Sequence, residues 1–399
     1  MRIIVSGYMV RHPLVGNMLA FLNYVLGLRD LGHHVVYVEE SGWIDSCYQP
    51  STGEHTSDPT EGLQATESLL RRLGASVPVC YVDRDSGTVY GGSRARLKRW
   101  LAEADLLLNV GGACSLDEFG LCSRRAYIDM DPLFTQLGRF GCDDLSEYQA
   151  HFSYGANIGA ARCSIPDAGF DWLPAVPPVV ADVWRADPQT AGECPPPGTA
   201  SLTTICNWNA YGSVEHDSIR YGQKNEEFLK LIELPRRVSR KLELALAGAD
   251  PNILEQLKAH GWVVRDAGKL TAEWDTYRSY IQSSIAEFSV AKNAYVSTFS
   301  GWFSDRSVCY LASGRPVIIQ DTGIDRWLPS NRAVLTFSTL EEAAERLNEL
   351  EVDYTSRCRE ARDVVDNWFS HSVVLPSLVE RAFESASGRR NPCSSTCSN

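Results

Sequence analysis

The stretch Ser297–Gly323, STFSGWFSDRSVCYLASGRPVIIQDTG, runs from a turn of small residues through a helix into a strand. Ser300–Gly301 and Asp305 have the chemistry of a helix start, and SVCYLASG alternates apolar and small residues at helical spacing until Gly314 stops it. RPVIIQD is a short buried strand running into Asp321, Thr322 and Gly323. A helix N-terminus leaves backbone N–H groups unpaired and carries partial positive charge, so a loop of small residues before it can receive a phosphate. A helix leading into a buried strand is also the repeating unit of a parallel α/β sheet.

The same alternation extends toward the N-terminus. RIIVSG, HHVVYVEE, VPVCYVD, DLLLNVGG and RRAYIDMD read as strands, with MLAFLNYVLGLRDLG, TEGLQATESLLRRLG and SRARLKRWLAEA as the helices between them. This predicts a Rossmann-like domain over residues 1–185. From 186 to 198 the chain turns polar and proline-rich, with Pro195, Pro196 and Pro197 in succession, and reads as a linker. A second series (SLTTICNW, KLELALAG, WVVRDAG, IAEFSVA, PVIIQD) predicts another doubly wound domain over 199–370. Residues 371–388 are expected to form a helix crossing back over the first domain, and 389–399 a disordered tail.

At 399 residues, two domains are the expectation from length alone. The net charge of −12 argues against a nucleic-acid partner, which would need a basic face. No apolar run reaches about 18 residues and Met1 leads directly into a strand, so the expectation is a soluble, cytoplasmic protein without membrane insertion. The 12 cysteines are scattered without ligand spacing and read as thiols of a reducing compartment; Cys393 and Cys397 in the tail lack histidine partners for a metal.

In two places the pattern becomes more specific. GNMLAFLNYVLGLRDLGHHVVYV resembles the glycine-bearing first loop, helix and GHxVxxV strand of the GT-B glycosyltransferases. From TICNWNAYG through GQKNEEFLKLIELP to LASGRPVIIQDTG, the second half resembles their nucleotide-sugar domain, the last element matching A-x-G-x-P-V. The resemblance implies two Rossmann-like domains facing a cleft, the first on the acceptor side, and transfer of a sugar from a nucleoside-diphosphate sugar to a small-molecule acceptor, as in secondary metabolism. It assigns Ser300, Gly301 and Trp302 to the phosphate, Lys224 and Arg306 to the diphosphate charge, with Lys292 a further cation, and Arg265 to the turn that contacts the base. Asp321, Thr322 and Gly323 would hold the sugar hydroxyls.

The retaining members' pair of Glu residues falls here on Gly301 and Cys309, so the reading leans to inversion. An inverting base would be His12, in the loop after the first strand, with Asp129 or Asp131 of AYIDMDP beside it. The DMD triplet also looks like a metal-carrying D-x-D, but that motif belongs to the other large glycosyltransferase fold, so no metal or other cofactor is expected. Phe170 and Trp172 could line the acceptor side or simply pack. A nucleotide-sugar epimerase of the same fold and a catalytically silent nucleotide-sugar-binding protein stay open. A dehydrogenase ranks low because G-x-G-x-x-G is absent from both halves.

Overall fold

The computed structural model describes residues 1–139, 144–185 and 200–385. The expected linker at 186–198 and the tail at 389–399, including Cys393 and Cys397, lie outside them.

Two parallel sheets organise the molecule. The first contains β1 (Arg2–Ser6), β2 (His34–Glu40), β3 (Val79–Val82), β4 (Val89–Tyr90), β5 (Leu106–Val110), β6 (Arg125–Asp129), β7 (Ala150–Ser153) and β8 (Trp172–Pro174). Their order is β8-β7-β6-β5-β1-β2-β3-β4, and only β4 runs antiparallel to its neighbour. The second contains β9 (Leu202–Asn207), β10 (Leu242–Ala247), β11 (Val263–Asp266), β12 (Ala286–Ser289), β13 (Val317–Gln320) and β14 (Val334–Phe337), in the order β11-β10-β9-β12-β13-β14. Helices cover both faces, which is why central strands such as LLLNV and VIIQ are buried at every position. Strand order reverses between β1 and β5 and again between β9 and β12. At such switch points a doubly wound sheet opens a crevice at its C-terminal edge.

The first helix, Val15–Asp30, is buried nearly all round. One side lies on the first sheet, and the C-terminal helix His371–Glu384 lies against the other. That approach needs Gly27, where an added Cβ would come within 2.6 Å of His371 and Leu375. The returning chain is locked at both ends. Val179 bridges Phe369 and His371 through backbone hydrogen bonds, and Arg124 donates to the carbonyls of Ala382 and Ser385 at 2.6 Å. The doubly wound α/β architecture and the crossing back of the C-terminal helix therefore agree with the sequence reading. Among the described residues no helix is long and apolar enough to cross a membrane.

Candidate active site

The C-terminal edges of the two sheets face each other. On the second-domain side, the loop after β9 leads to the helix Lys224–Lys230. The buried Glu227 of that helix accepts hydrogen bonds from Asn293, after β12, and from Gln320, at the end of β13, both at 2.7 Å. Those bonds fix the start of the helix, and with it Lys224, at the switch point.

Lys224 is half-buried and makes no ion pair among the described residues. Burial, then the charges of Arg306 and Lys292, push its pKa down to about 8. Three cations thus share this corner. Arg306 is the most constrained: its guanidinium bonds the Glu287 carboxylate at 2.5 Å, the Ile205 carbonyl at 2.6 Å and the Ser289 hydroxyl at 2.6 Å. It clamps β9 to β12, with donor capacity left over.

The helix after the opening turn begins at Asp305, with Ser304 at the N-cap position but making no side-chain cap bond, not at Ser300. The expected phosphate contacts of Ser300, Gly301 and Trp302 need correction accordingly. Gly301 has φ +75°, its N–H donates to the Thr322 carbonyl at 2.8 Å, and a Cβ there would come within 2.7 Å of the Asn157 side chain. The Ser300 hydroxyl donates to the Tyr295 carbonyl and accepts from the Trp302 N–H, while the Trp302 indole N–H reaches the Met130 carbonyl. These residues join the domains. Beyond them, the first turn of the Asp305–Ala312 helix brings Ser307, whose buried hydroxyl has no partner among the described residues, alongside Ser304 and Ser289.

Asp305 itself is a half-buried carboxylate held only by the Ser304 hydroxyl at 3.4 Å and the Arg306 backbone N–H among the described residues. Burial raises its pKa against the pull of Arg306 and Lys224. Its charge also reaches Tyr8 of the first domain, whose hydroxyl is pushed up to about 12, mainly by burial and then by Asp131.

The sugar-holding role expected for Asp321, Thr322 and Gly323 meets a different use of these groups. The Thr322 hydroxyl donates to the Trp302 carbonyl at 2.7 Å, Asp321 accepts from the Gly323 N–H, and the Gly323 carbonyl accepts from Asn157. Arg265 is exposed and pairs with Glu243 at 3.4 Å on the edge of the second sheet, well separated from the cation cluster in the strand order.

On the first-domain side the expected catalytic pair does not form. Asp129 is fully buried and accepts from the Asp131 N–H (2.8 Å), Thr135 (2.6 Å), Gln136 (2.9 Å) and Ser153 (2.6 Å). It organises the loop after β6, and nothing remains for His12. The His12 ring instead stacks near Tyr48, at 5.1 Å, and its pKa is lowered to about 4 by burial and then by His55. A base that weak is poorly matched to neutral pH. Asp131 bonds Lys292, Tyr211 and Tyr295 of the second domain. Burial would raise its carboxyl, but the Lys292 charge and these bonds win and hold it below the usual range. Phe170 and Trp172 pack around His151.

Asn157 is the residue that sequence reasoning missed. Its amide donates to the carbonyls of Phe299 (3.0 Å) and Gly323 (2.8 Å), and its own N–H donates to the Ser300 carbonyl (3.0 Å). Nothing in the glycine-bearing loop SYGANIGAAR marks it.

Several solved structures share this arrangement. AviGT4, a glycosyltransferase involved in avilamycin A biosynthesis, matches with a TM-score of 0.55 at 15% identity, over 96% of this chain and 97% of that one. An alpha-glucosyltransferase in complex with UDP-glucose and DNA containing an abasic site matches at 0.57 and 10% identity, over 96% and 98%. A glycosyltransferase from Rickettsia africae ESF-5 matches at 0.53 and 12% identity, over 96% and 97%. No family profile and no curated protein matches the chain. The likeness establishes the fold as GT-B, two Rossmann-like domains facing a cleft.

Proposed function

We propose that this protein is a glycosyltransferase that moves a sugar from a nucleoside-diphosphate sugar to a small-molecule acceptor, in the cytoplasm and without a metal. One observation carries the reading: Lys224 stands without a carboxylate partner among the described residues, beside Arg306 and Lys292, at the switch point of the second sheet. Arg306 and Lys292 are spent on Glu287 and Asp131, so Lys224 is the charge left over in this corner for an anion, and a departing diphosphate needs such neutralisation in the transition state. The Ser307 hydroxyl, without a partner among the described residues, and the adjoining helix N-terminus add neutral donors. Protein cations in this role leave a metal unnecessary, and a nucleoside diphosphate with its sugar is the ligand that fits a GT-B cleft.

The net charge of −12 favours a small acceptor over DNA, the nucleic acid in the alpha-glucosyltransferase complex. With Gly301 against Asn157 and the Cys309 thiol buried on its own helix, the two Glu positions of retaining members hold no carboxylate, which favours inversion. Asp305 is then the cleft carboxylate that can receive an acceptor proton or orient a sugar hydroxyl. Because His12, Asp129 and Asp131 are otherwise engaged, a binding protein that never turns its donor over is the second reading.

The test is incubation with UDP-, GDP-, TDP- and ADP-sugars, following free nucleotide and sugar products by NMR. Turnover of one donor, lowered roughly 10²–10⁴-fold in Asp305→Asn, is the expected result. A donor bound but never consumed supports the second reading, and an epimerised free sugar points to an epimerase.

A further inference from the structure

At the N-terminal end of β14, the sheet edge away from the cleft, a shallow cavity of about 470 Å³ lies wide open to solvent, with Arg359, Asp363 and Trp368 exposed along it. That volume lies in the usual range for small-molecule sites, roughly 300–1,000 Å³. One wall is Arg332, just ahead of β14; the other is the Tyr354–Val364 helix and the π-helical turn Val365–Phe369 that continues it. A π turn is rare and recurs at functional sites. Here it sends Phe369 inward against Phe303, with ring centroids 4.8 Å apart, and leaves the next indole, Trp368, 38% exposed at the cavity.

The charges around the cavity indicate the chemistry of an occupant. The backbone N–H and Nε of Arg332 donate to the two oxygens of Glu360 at 3.0 and 2.9 Å, so this pair is spent on itself. Arg359 and Asp363 stand four residues apart on the helix, a spacing at which such residues commonly pair. They form no ion pair with each other, or with any other side chain, among the described residues. The lining is therefore neutral in sum: it offers neither the excess positive charge that a phosphate needs nor the excess negative charge that a cation needs. What it offers is a guanidinium, a carboxylate and the Ser356 hydroxyl, matched donors and acceptors around an exposed aromatic face. A sugar ring answers each of these, its C–H face lying on the indole while neighbouring hydroxyls bridge the carboxylate and guanidinium.

We propose that this cavity is a saccharide-binding site, separate from the cleft, which holds a neutral sugar unit stacked on Trp368 between Arg359 and Asp363. The test is saturation-transfer NMR and calorimetry of the full chain with glucose, N-acetylglucosamine, maltotriose and cellotriose, repeated on Trp368→Ala, Trp368→Phe and Arg359→Ala. The expected result is saturable binding of at least one saccharide, weakened tenfold or more by Trp368→Ala and Arg359→Ala and less by Trp368→Phe. A cooperative urea unfolding transition at the wild-type midpoint, in all three variants, reports that each is folded. Two results would overturn the proposal: no saccharide binds the wild type saturably, or binding survives Trp368→Ala and is lost in Lys224→Ala, which would put the sugar in the cleft.

Discussion

The two lips of the cleft carry similar chemistry put to opposite uses. On the first-domain lip, the carboxylates of Asp129 and Asp131 are consumed by neighbours, one by the loop it organises and the other by Lys292 and two phenols across the cleft. On the second-domain lip, Lys224 and Asp305 are half-buried and their charges have little or no protein partner among the described residues. Both lips are partly buried and rich in hydrogen-bonding groups, so burial alone does not separate structure from function. The separation lies in where each group's bonds go: a satisfied buried group stabilises the fold, and an unsatisfied one awaits a ligand.

The strongest way to break this comparison is Asp129→Ala. It strips the acceptor from Thr135, Gln136 and Ser153 together, and unfolding in urea is expected to show a loss of about 3–5 kcal/mol, as for a broken buried charged network. A loss below about 1 kcal/mol would show that the network is not the anchor described.

Lys224→Ala is the mirror experiment. It is expected to weaken nucleoside-diphosphate binding about 10–100-fold, in the range of a charge-assisted contact, while the urea midpoint stays level or rises. The sign of the pH effect follows from the lowered Lys224 pKa. The ammonium is lost as pH rises through about 8, so nucleotide affinity should hold from pH 6 to 7 and fall above pH 8, by at most roughly tenfold per unit. An affinity that is level through pH 9.5 would assign the phosphate to other groups.

These contrasts bear on what the sequence can reveal. The positions of Lys224 and Arg306, though not their proposed roles, can be placed from the sequence because each stands at the start of a helix at a recognisable step of a repeating pattern. The engagement of Asp131 cannot be read there, because its partner Lys292 lies 161 positions away and only the docking of the domains joins them. Ser300 and Gly301 were read as a helix start from composition. The left-handed backbone at Gly301 bends the chain toward Asn157 instead, and glycine serves either purpose. The central strands were evident as apolar runs, whereas β7, β8 and β14 are short or carry His, Ser and Thr and went unpredicted.

A smaller effect sharpens the account of the junction. Asn157→Ala removes two amide donors and should cost about 1–2 kcal/mol, with faster hydrogen exchange at the backbone of 299–301 and 323. Stability and exchange both unchanged would remove Asn157 from the joint. Smallest of all, His12→Gln should leave donor turnover within about twofold, since a general base is worth roughly 10²–10⁴ and His12 is not expected to be one. A hundredfold loss would restore it to the mechanism.

Titration calorimetry of UDP, GDP, TDP and ADP into the wild type and Lys224→Ala at pH 7 tests the central claim most directly. The account predicts that one nucleoside diphosphate binds the wild type and that the alanine variant, equally stable, binds it at least tenfold more weakly. Binding of equal strength in the two proteins, or none to the wild type, would contradict it.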